Sequence, residues 1–540
     1  MTKDRGRKRC QNQVEPTSSQ SDSNYMFDEE KAYKAMAKFF CEAGLPPSVA
    51  KGESFGRLLN PAFNMNYDTV VRHCVEVEKE NKEKMKNVLK SLDGKFALSM
   101  ELMRPDPFSN GNGLDCDFAD EQKNVYDYLC VKAHFIDEDW KLETFTLGYF
   151  STLDGNAENY PVNIVMKLLS NWEVEDKVST IMSQTESIDL DESAMEIKDK
   201  LQHKLLSFPL DGRFFHVSCC ADKLSAIAVR AFSKIESAIS AVHAYSSWRK
   251  APLYWDNTLG MLQEAQELEA EGRYEEDDPP TAKEWEQVRV VCKLVQKVYD
   301  AAEVLFETNY ASGGFFFHNL QELRASLMDE SKSSDEFTKK IAGGMLKKLN
   351  NYWEKDSLIL AIVTALDPRY KMKYFEFSSL KYGATSGILD IKTISDSIHK
   401  LYDDYASCIT GKEYTTMTSG SDSGSEEDYL RAEVRERRSH PAFGFKCLDE
   451  YQQFVQSCPS KSELDFYLEE EPIVPWNNKF SVVSWWKDAS PKYPTLSKMA
   501  RDLLPIRFSL VTGSEAYYTM VREPDQNLDF LEMVINANKV

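Results

Sequence analysis

Two apolar periods run along this chain, and the change from one to the other divides it. Helical spacing comes first. Tyr33, Met36, Phe39 and Phe40 line one side of a helix predicted over Phe27 to Cys41, and a second helix is predicted from Asn66 to Leu92. Strand-length apolar runs follow at Lys95 to Leu102, Val125 to Ile136, Thr144 to Phe150, Val178 to Met182 and Phe214 to Cys219. Helices are expected between them at Val162 to Trp172 and Ala194 to Leu206. From Leu224 to about Ala406 helical periodicity takes over, as in WEQVRVVCKLVQKVYDAAEVLF.

The C-terminal stretch Ser462 to Ile506 carries the densest aromatic surface. Leu464, Tyr467 and Leu468 fall at i, i+3, i+4 of a short helix that Pro472 and Pro475 stop. Val482, Val483, Trp485 and Trp486 form a second apolar run. Thr495 is the expected N-cap of a helix carrying Leu496, Met499, Ala500, Leu503 and Leu504. Short helices cannot bury this surface alone, so they must pack on the rest of the chain or on a second copy.

Polar punctuation marks the boundaries. Met1 to about Asn24 is rich in Ser, Gln and Asn and is expected to be disordered. Residues 104–124 form a Pro/Gly/Asn/Asp loop, 274–280 an acidic loop, and 415–428 a Ser-acid linker suited to disorder and phosphorylation, ahead of a helix expected over Cys447 to Cys458. The resulting division is 1–25, 26–93, 94–223, 224–410, 411–440, 441–525 and 526–540.

Composition narrows the class. A chain of 540 residues with 42% hydrophobic content holds several globular cores. No apolar run is long enough to span a bilayer, and the N-terminus is polar and basic, so no membrane partner and no secretory signal are expected. The eleven cysteines form no C-x-x-C pair and read as reduced thiols in an intracellular compartment. The formal charge of −22 repels a DNA duplex, so any DNA affinity must rest on a local patch of Lys and Arg. Lys3, Arg5, Arg7, Lys8 and Arg9 form one such arm. It suits nuclear import or phosphate contact, and equally a solvated terminus.

The run SELDFYL, then P-I-V-P, then SWWKDASPKYPTLSKMARDLLPI, resembles the C-terminal dimerisation region of hAT-superfamily transposases of the plant daysleeper and ricesleeper type. FDEEKAYKAMAKFF, VKAHFIDEDWKL and KLNNYWEKDSLILAIVTALDPRYKMKYFEF are similar to further blocks of that pattern. The resemblance implies an α/β fold with large α content: an RNase H-like core over 94–223, a long helical insertion over 224–410, and a C-terminal dimerisation region. It implies pairing through Leu464, Tyr467, Leu468, Trp485, Trp486, Tyr493, Leu496, Met499 and Leu503. Family members commonly carry a BED zinc finger upstream. Cys10 stands alone there, so the finger is expected to be missing from this chain.

The resemblance also implies three carboxylates holding two divalent cations. The first position is Glu101 in LSMELM. The second is Gln184, or Ser183 on a one-residue slip. The third is Ser514, with Glu515 one residue on, about 100° around a helix. One carboxylate then remains where three are required, and the catalytic positions are expected to be degenerate. Two further family features depart, at Cys220-Ala221-Asp222 and at Tyr254-Trp255. Asp367, Pro368 and Arg369 read as a structural turn that ends an apolar helix. His216-x-x-Cys219, Cys130-x-x-x-His134 and His73-Cys74 lack a four-ligand set, so no metal is expected. No Ser-His-Asp ordering, phosphate-binding glycine loop or nucleotide fingerprint is present, so no cofactor and no small-molecule substrate are expected.

These readings converge on a domesticated hAT-type transposase without catalytic activity, nuclear, pairing with itself or a related hAT-type protein and contacting DNA or chromatin. A protein–protein scaffold without DNA affinity and an active transposase are the two alternatives.

Overall fold

The computed structural model describes residues 28–42, 50–51, 66–103, 128–151, 160–184, 190–204, 208–245, 254–274, 279–306, 313–382, 390–417, 461–473 and 480–510. The basic arm, the 104–124 loop, most of the 415–428 linker, the helix expected over 447–458, Ser514 and Glu515 lie outside them. The chain is mostly helical with one mixed sheet, and it divides into two units, 1–77 and 78–540.

In the first unit, helix α1 (Glu29–Glu42) buries Tyr33, Met36, Ala37 and Phe40, an i, i+3, i+4, i+7 stripe. Phe39, expected on that stripe, points outward at 52% exposure, and Ala37 takes its place. The Tyr33 ring stacks on His73, whose Nδ1 meets Glu76 at 2.9 Å. His73 lies in helix α2 (Tyr67–Ser91), whose later turns belong to the second unit.

The sheet of the second unit is built from β1 (Phe96–Met103), β2 (Tyr128–Ile136), β3 (Leu142–Ser151), β4 (Val178–Ser183) and β5 (His216–Ser218). Their order is β3-β2-β1-β4-β5. β1 pairs antiparallel with β2 and parallel with β4; β2 and β3 pair antiparallel, β4 and β5 parallel. Three consecutive strands in hairpin contact are thus followed by crossovers through α3 (Tyr160–Trp172) and α4 (Leu190–His203).

The alternation in FALSMELM decides which face sees which layer. Phe96, Leu98, Met100 and Leu102 point to one face, where Leu129, Val131, Val165, Leu169, Ala194 and Ile197 complete an apolar core. Ala97, Ser99 and Glu101 point to the other, covered by a larger helical core. That core includes α5 (Cys220–Phe232), α6 (Glu236–Tyr245), α7 (Trp255–Ala270), α8 (Ala282–Phe306), α9 (Gly313–Glu330), α10 (Glu336–Ala365), α11 (Lys371–Tyr382) and α12 (Ile391–Met417). The C-terminal helices are α13 (Glu463–Glu469), α14 (Val482–Ala489) and α15 (Pro494–Leu503).

The C-terminal aromatic surface packs on the chain itself. Leu464, Tyr467, Trp486, Tyr493, Leu496, Met499 and Leu503 are each 2% exposed or less. Leu468 and Trp485 are half-buried against the same core. The side chains expected to make the pairing surface therefore face inward in this structure: Tyr467 and Trp486 bond to the end of α10, and α15 packs on α12, β1 and β2.

Capping differs from expectation at α15. Tyr493 is the N-cap, with Pro494 in the first helical position. The N–H of Thr495 is satisfied by the Glu463 carboxylate of α13 at 3.0 Å rather than by its own residue type acting as a cap. At α13 the local rule holds, since Ser462 and Asp465 form a capping box.

Candidate functional site at the ends of the central strands

Glu101 sits near the end of β1, 3% exposed, opposite Cys130 of β2. Its Oε1 accepts the Ser99 hydroxyl at 2.8 Å, and Lys132 Nζ donates to Oε2 at 3.4 Å. Lys132 faces Ser99 across the β1–β2 ladder, so the pleat sets the ammonium diagonally against the carboxylate.

A relay of side chains continues from Ser99. His134 Nε2 lies 3.0 Å from Ser99 Oγ, and its Nδ1 3.0 Å from Thr144 Oγ1. Arg507 Nη2 donates to Thr144 Oγ1 at 3.3 Å. A guanidinium only donates and a carboxylate only accepts, so the ends fix the direction. Arg507 donates to Thr144, Thr144 to His134 Nδ1, His134 Nε2–H to Ser99, and Ser99 to Glu101. Ser99 spends its proton on Glu101, so Nε2 carries a hydrogen, and with a neutral imidazole Nδ1 accepts from Thr144. Burial, then the Arg507 and Lys132 charges, push the His134 pKa well down, as the relay demands. Burial lowers the Arg507 pKa as well, with the Glu101 charge acting against it.

Gln184 follows β4 and is 5% exposed. Its Oε1 accepts the Leu102 N–H at 2.5 Å, and its own N–H reaches Met100 O at 3.4 Å. A side-chain amide thus extends the β1–β4 ladder by one bond, without a buried charge. Glu101 and Gln184 are brought to neighbouring strand ends, as the sequence alignment places them. The position of Ser514 is outside the described residues.

A second polar cluster adjoins these strands, and sequence spacing gave no sign of it. Ser183 Oγ donates to Asp191 Oδ1 at 2.8 Å and lies 2.7 Å from His216 Nε2, which is 3.1 Å from the same Asp191 oxygen. Burial raises the Asp191 pKa, but the His216 and Ser183 hydrogen bonds and the nearby charges leave it below its ordinary value. The residue types are those of a hydrolase triad, but the geometry is not. Serine and aspartate meet one ring nitrogen, whereas a triad needs them on opposite nitrogens. Beside it, Asp356 of α10 is 1% exposed. Its Oδ1 accepts the Ser218 N–H at 3.4 Å, and burial pushes its pKa up to about 7.

Among the described residues, no three His, Cys, Asp or Glu side chains stand close enough to hold a metal ion. His134 and His216 are engaged in the relay and the Ser183 cluster. Cys130 and Cys219 are buried thiols. Asp222, from the departing family block, is buried at the start of α5, and Trp255 is buried against the Tyr299 ring, 6.0 Å away.

The turn between α10 and α11 is a further buried polar feature. Asp367 Oδ1 takes the Arg369 N–H and Nε, both at 3.0 Å, and Oδ2 takes Nη2 at 2.7 Å, all buried. The aspartate and arginine therefore close the turn on themselves. Lys371 follows with φ of 50° and 1% exposure. Its Nζ donates to Tyr467 O at 2.7 Å and Glu470 O at 3.1 Å. The buried ammonium thereby caps the last carbonyls of α13.

Comparison with known proteins bears on both features. A model described as hAT family C-terminal dimerisation region matches residues 463–528. One described as hAT-like transposase, RNase-H fold, matches 314–405, and one described as ZBED1 RNase-like domain matches 121–214. The chain is 25% identical over 92% of its length to the zinc finger BED domain-containing protein RICESLEEPER 1 of Oryza sativa subsp. japonica, covering 71% of that protein. It is 26% identical over 93% of its length to the zinc finger BED domain-containing protein DAYSLEEPER of Arabidopsis thaliana, covering 71% of that one.

Proposed function

Taking as premise an hAT transposase-like chain homologous to these plant BED-finger proteins, we propose that it acts as a catalytically inactive, DNA-binding nuclear regulator that works as a dimer. The observation that carries the reading is the state of Glu101. Its carboxylate is engaged by the Ser99 hydroxyl and the Lys132 ammonium, while Gln184 spends its oxygen on a backbone N–H. A pair of divalent cations does not fit this donor set. Such cations need several anionic oxygens in tight geometry, and here an ammonium stands against the carboxylate and an amide at the second position.

The net charge of −22 favours one other reading, a scaffold that assembles proteins without DNA. Two assays decide. The full chain, incubated with Mg²⁺ or Mn²⁺ and supercoiled plasmid, is expected to leave it intact. Nicking that Glu101→Ala abolishes would restore the enzyme. Duplex binding by fluorescence anisotropy is expected at low salt and should weaken as salt rises. No binding at low salt leaves the scaffold. Light scattering is expected to give a dimer, and a fluorescent fusion is expected in the nucleus.

A further inference from the structure

Helix α10 carries a set of exposed lysines. Lys340, Lys347, Lys348 and Lys355 are all exposed. Among the described residues none of the four is in an ion pair, whereas their neighbours Lys332 and Lys339 meet Asp329 and Glu336, each at 3.5 Å. At 100° per residue, Lys340 and Lys347 lie within about 20° of one another, as do Lys348 and Lys355. They make two short rows on one side of the helix. The members of each row stand about 10 Å apart along the axis, close to the width of the DNA major groove.

Between the rows lie Gly344 and the exposed Asn351, and Gly343 borders them. Gly343 and Gly344 sit in the helix interior, and a Cβ at either position would meet nothing within 4 Å. Neither glycine is needed for packing, and each weakens a helix relative to alanine. What they do provide is naked backbone between Lys340 and Lys347, where another polymer can approach closely. Residues 336–355 carry five lysines against two glutamates, in a chain of net charge −22.

We propose that this lysine-flanked glycine face of α10 binds the phosphate backbone of duplex DNA. The inference rests on the DNA-binding reading above and assigns its surface within the folded body, separate from the N-terminal arm. Phosphate contacts by an exposed basic row release condensed counterions, which drives the association. Recognition by this face is of the backbone, without base sequence.

The test compares four full-length proteins by anisotropy on one duplex of about 30 base pairs, between 50 and 200 mM salt. They are the wild type, the quadruple variant Lys340→Gln, Lys347→Gln, Lys348→Gln, Lys355→Gln, a variant with Gly343→Leu and Gly344→Leu, and a charge control. The control removes four lysines that already have carboxylate partners: Lys204→Gln, Lys392→Gln, Lys400→Gln and Lys461→Gln. Each phosphate contact contributes about 0.9 to the slope of log K against log salt, so the quadruple variant should flatten it by about 3 to 4. The control should keep the wild-type slope. The leucine pair should weaken binding at least tenfold while the helix becomes no less stable, since leucine is the better helix former. Wild type that binds while the quadruple variant keeps its slope, or a control that loses as much, overturns this surface alone. Wild type that never binds removes both the surface and the DNA-binding reading.

Discussion

The indole N–H of Trp486 donates to the main-chain oxygen of Leu366 at 2.9 Å, across 120 positions of sequence. Tyr467 O–H does the same to Ala365 at 3.0 Å. The last carbonyls of a helix have no partner within it, and here the C-terminal region provides two. The exchange is mutual, because Lys371 from the turn beyond α10 donates to carbonyls at the end of α13. Helix α10 and the dimerisation region thus finish one another.

Trp486→Phe keeps most of the ring but strands the Leu366 carbonyl, and should cost about 1–3 kcal/mol. Trp486→Ala should cost about 3–5 kcal/mol. Trp485→Ala, at a half-buried position, should cost less. Urea midpoints measure the series. If Trp486→Ala splits a dimer without lowering the stability of each chain, the side chain serves a partner and the intramolecular seam is misassigned.

At Lys371 the backbone is left-handed, a conformation that costs a non-glycine residue on the order of 1–2 kcal/mol. Lys371→Met keeps the bulk and the strain but removes three donors from two buried carbonyls. A loss of at least about 2 kcal/mol is expected. Near-wild-type unfolding of this variant would show that the ammonium caps nothing of consequence.

Glu101 and Lys132 form a nearly buried pair, with side chains 4% and 12% exposed. Removing one partner leaves a charge without its counterion, so Glu101→Ala should destabilise by about 3–5 kcal/mol. Adding Lys132→Met should return part of that loss. A double-mutant cycle measures the coupling, and additive effects would detach the ammonium from the carboxylate.

Two buried aspartates should make stability fall as pH rises through the neutral range. Burial raises Asp356 to about 7 and Asp502 to about 6, from an ordinary 3.8. Between pH 4 and 7 the folded chain therefore binds more protons than the unfolded one. On that side of the linkage stability decreases with pH, and the cost is fully present above pH 7. Asp356→Asn keeps an oxygen for the Ser218 N–H and removes the charge. It should stabilise at pH 8 by up to about 4 kcal/mol and change little at pH 4. Equal effects at both values in urea titrations would count against a charged Asp356 as the cause.

The strands were legible because FALSMELM and YLCVKAHFI carry their apolar pattern locally, and their runs come out as β1 and β2. The placement of Glu101 and Gln184 at neighbouring strand ends was legible for the same reason, since a strand end can be counted along the chain. What sequence did not offer was distance. Glu463 reaches the N–H of Thr495 across a helix–helix contact, so the composition of the α15 N-terminus pointed to the wrong cap. Phe39 and Ala37 exchanged roles because the stripe follows what α2 presents, not hydrophobicity alone. The aromatic density at 462–506 announced a buried surface but could not say against what. That depended on the open end of α10, more than a hundred positions earlier. The Ser183, Asp191 and His216 cluster follows from neighbouring parallel strands that no spacing rule connects.

Asp502 accepts the N–H of Lys95 at 2.9 Å and the Tyr405 hydroxyl at 2.8 Å, and a Cβ on Gly94 would come within 2.5 Å of its carboxylate. The entrance to the first strand is thus fastened by a residue 407 positions downstream. On the ribosome the sheet's leading strand emerges 407 residues ahead of its anchor. That corner cannot close before residue 502 has been added, and a product cut short between the strand and that residue is left with it open.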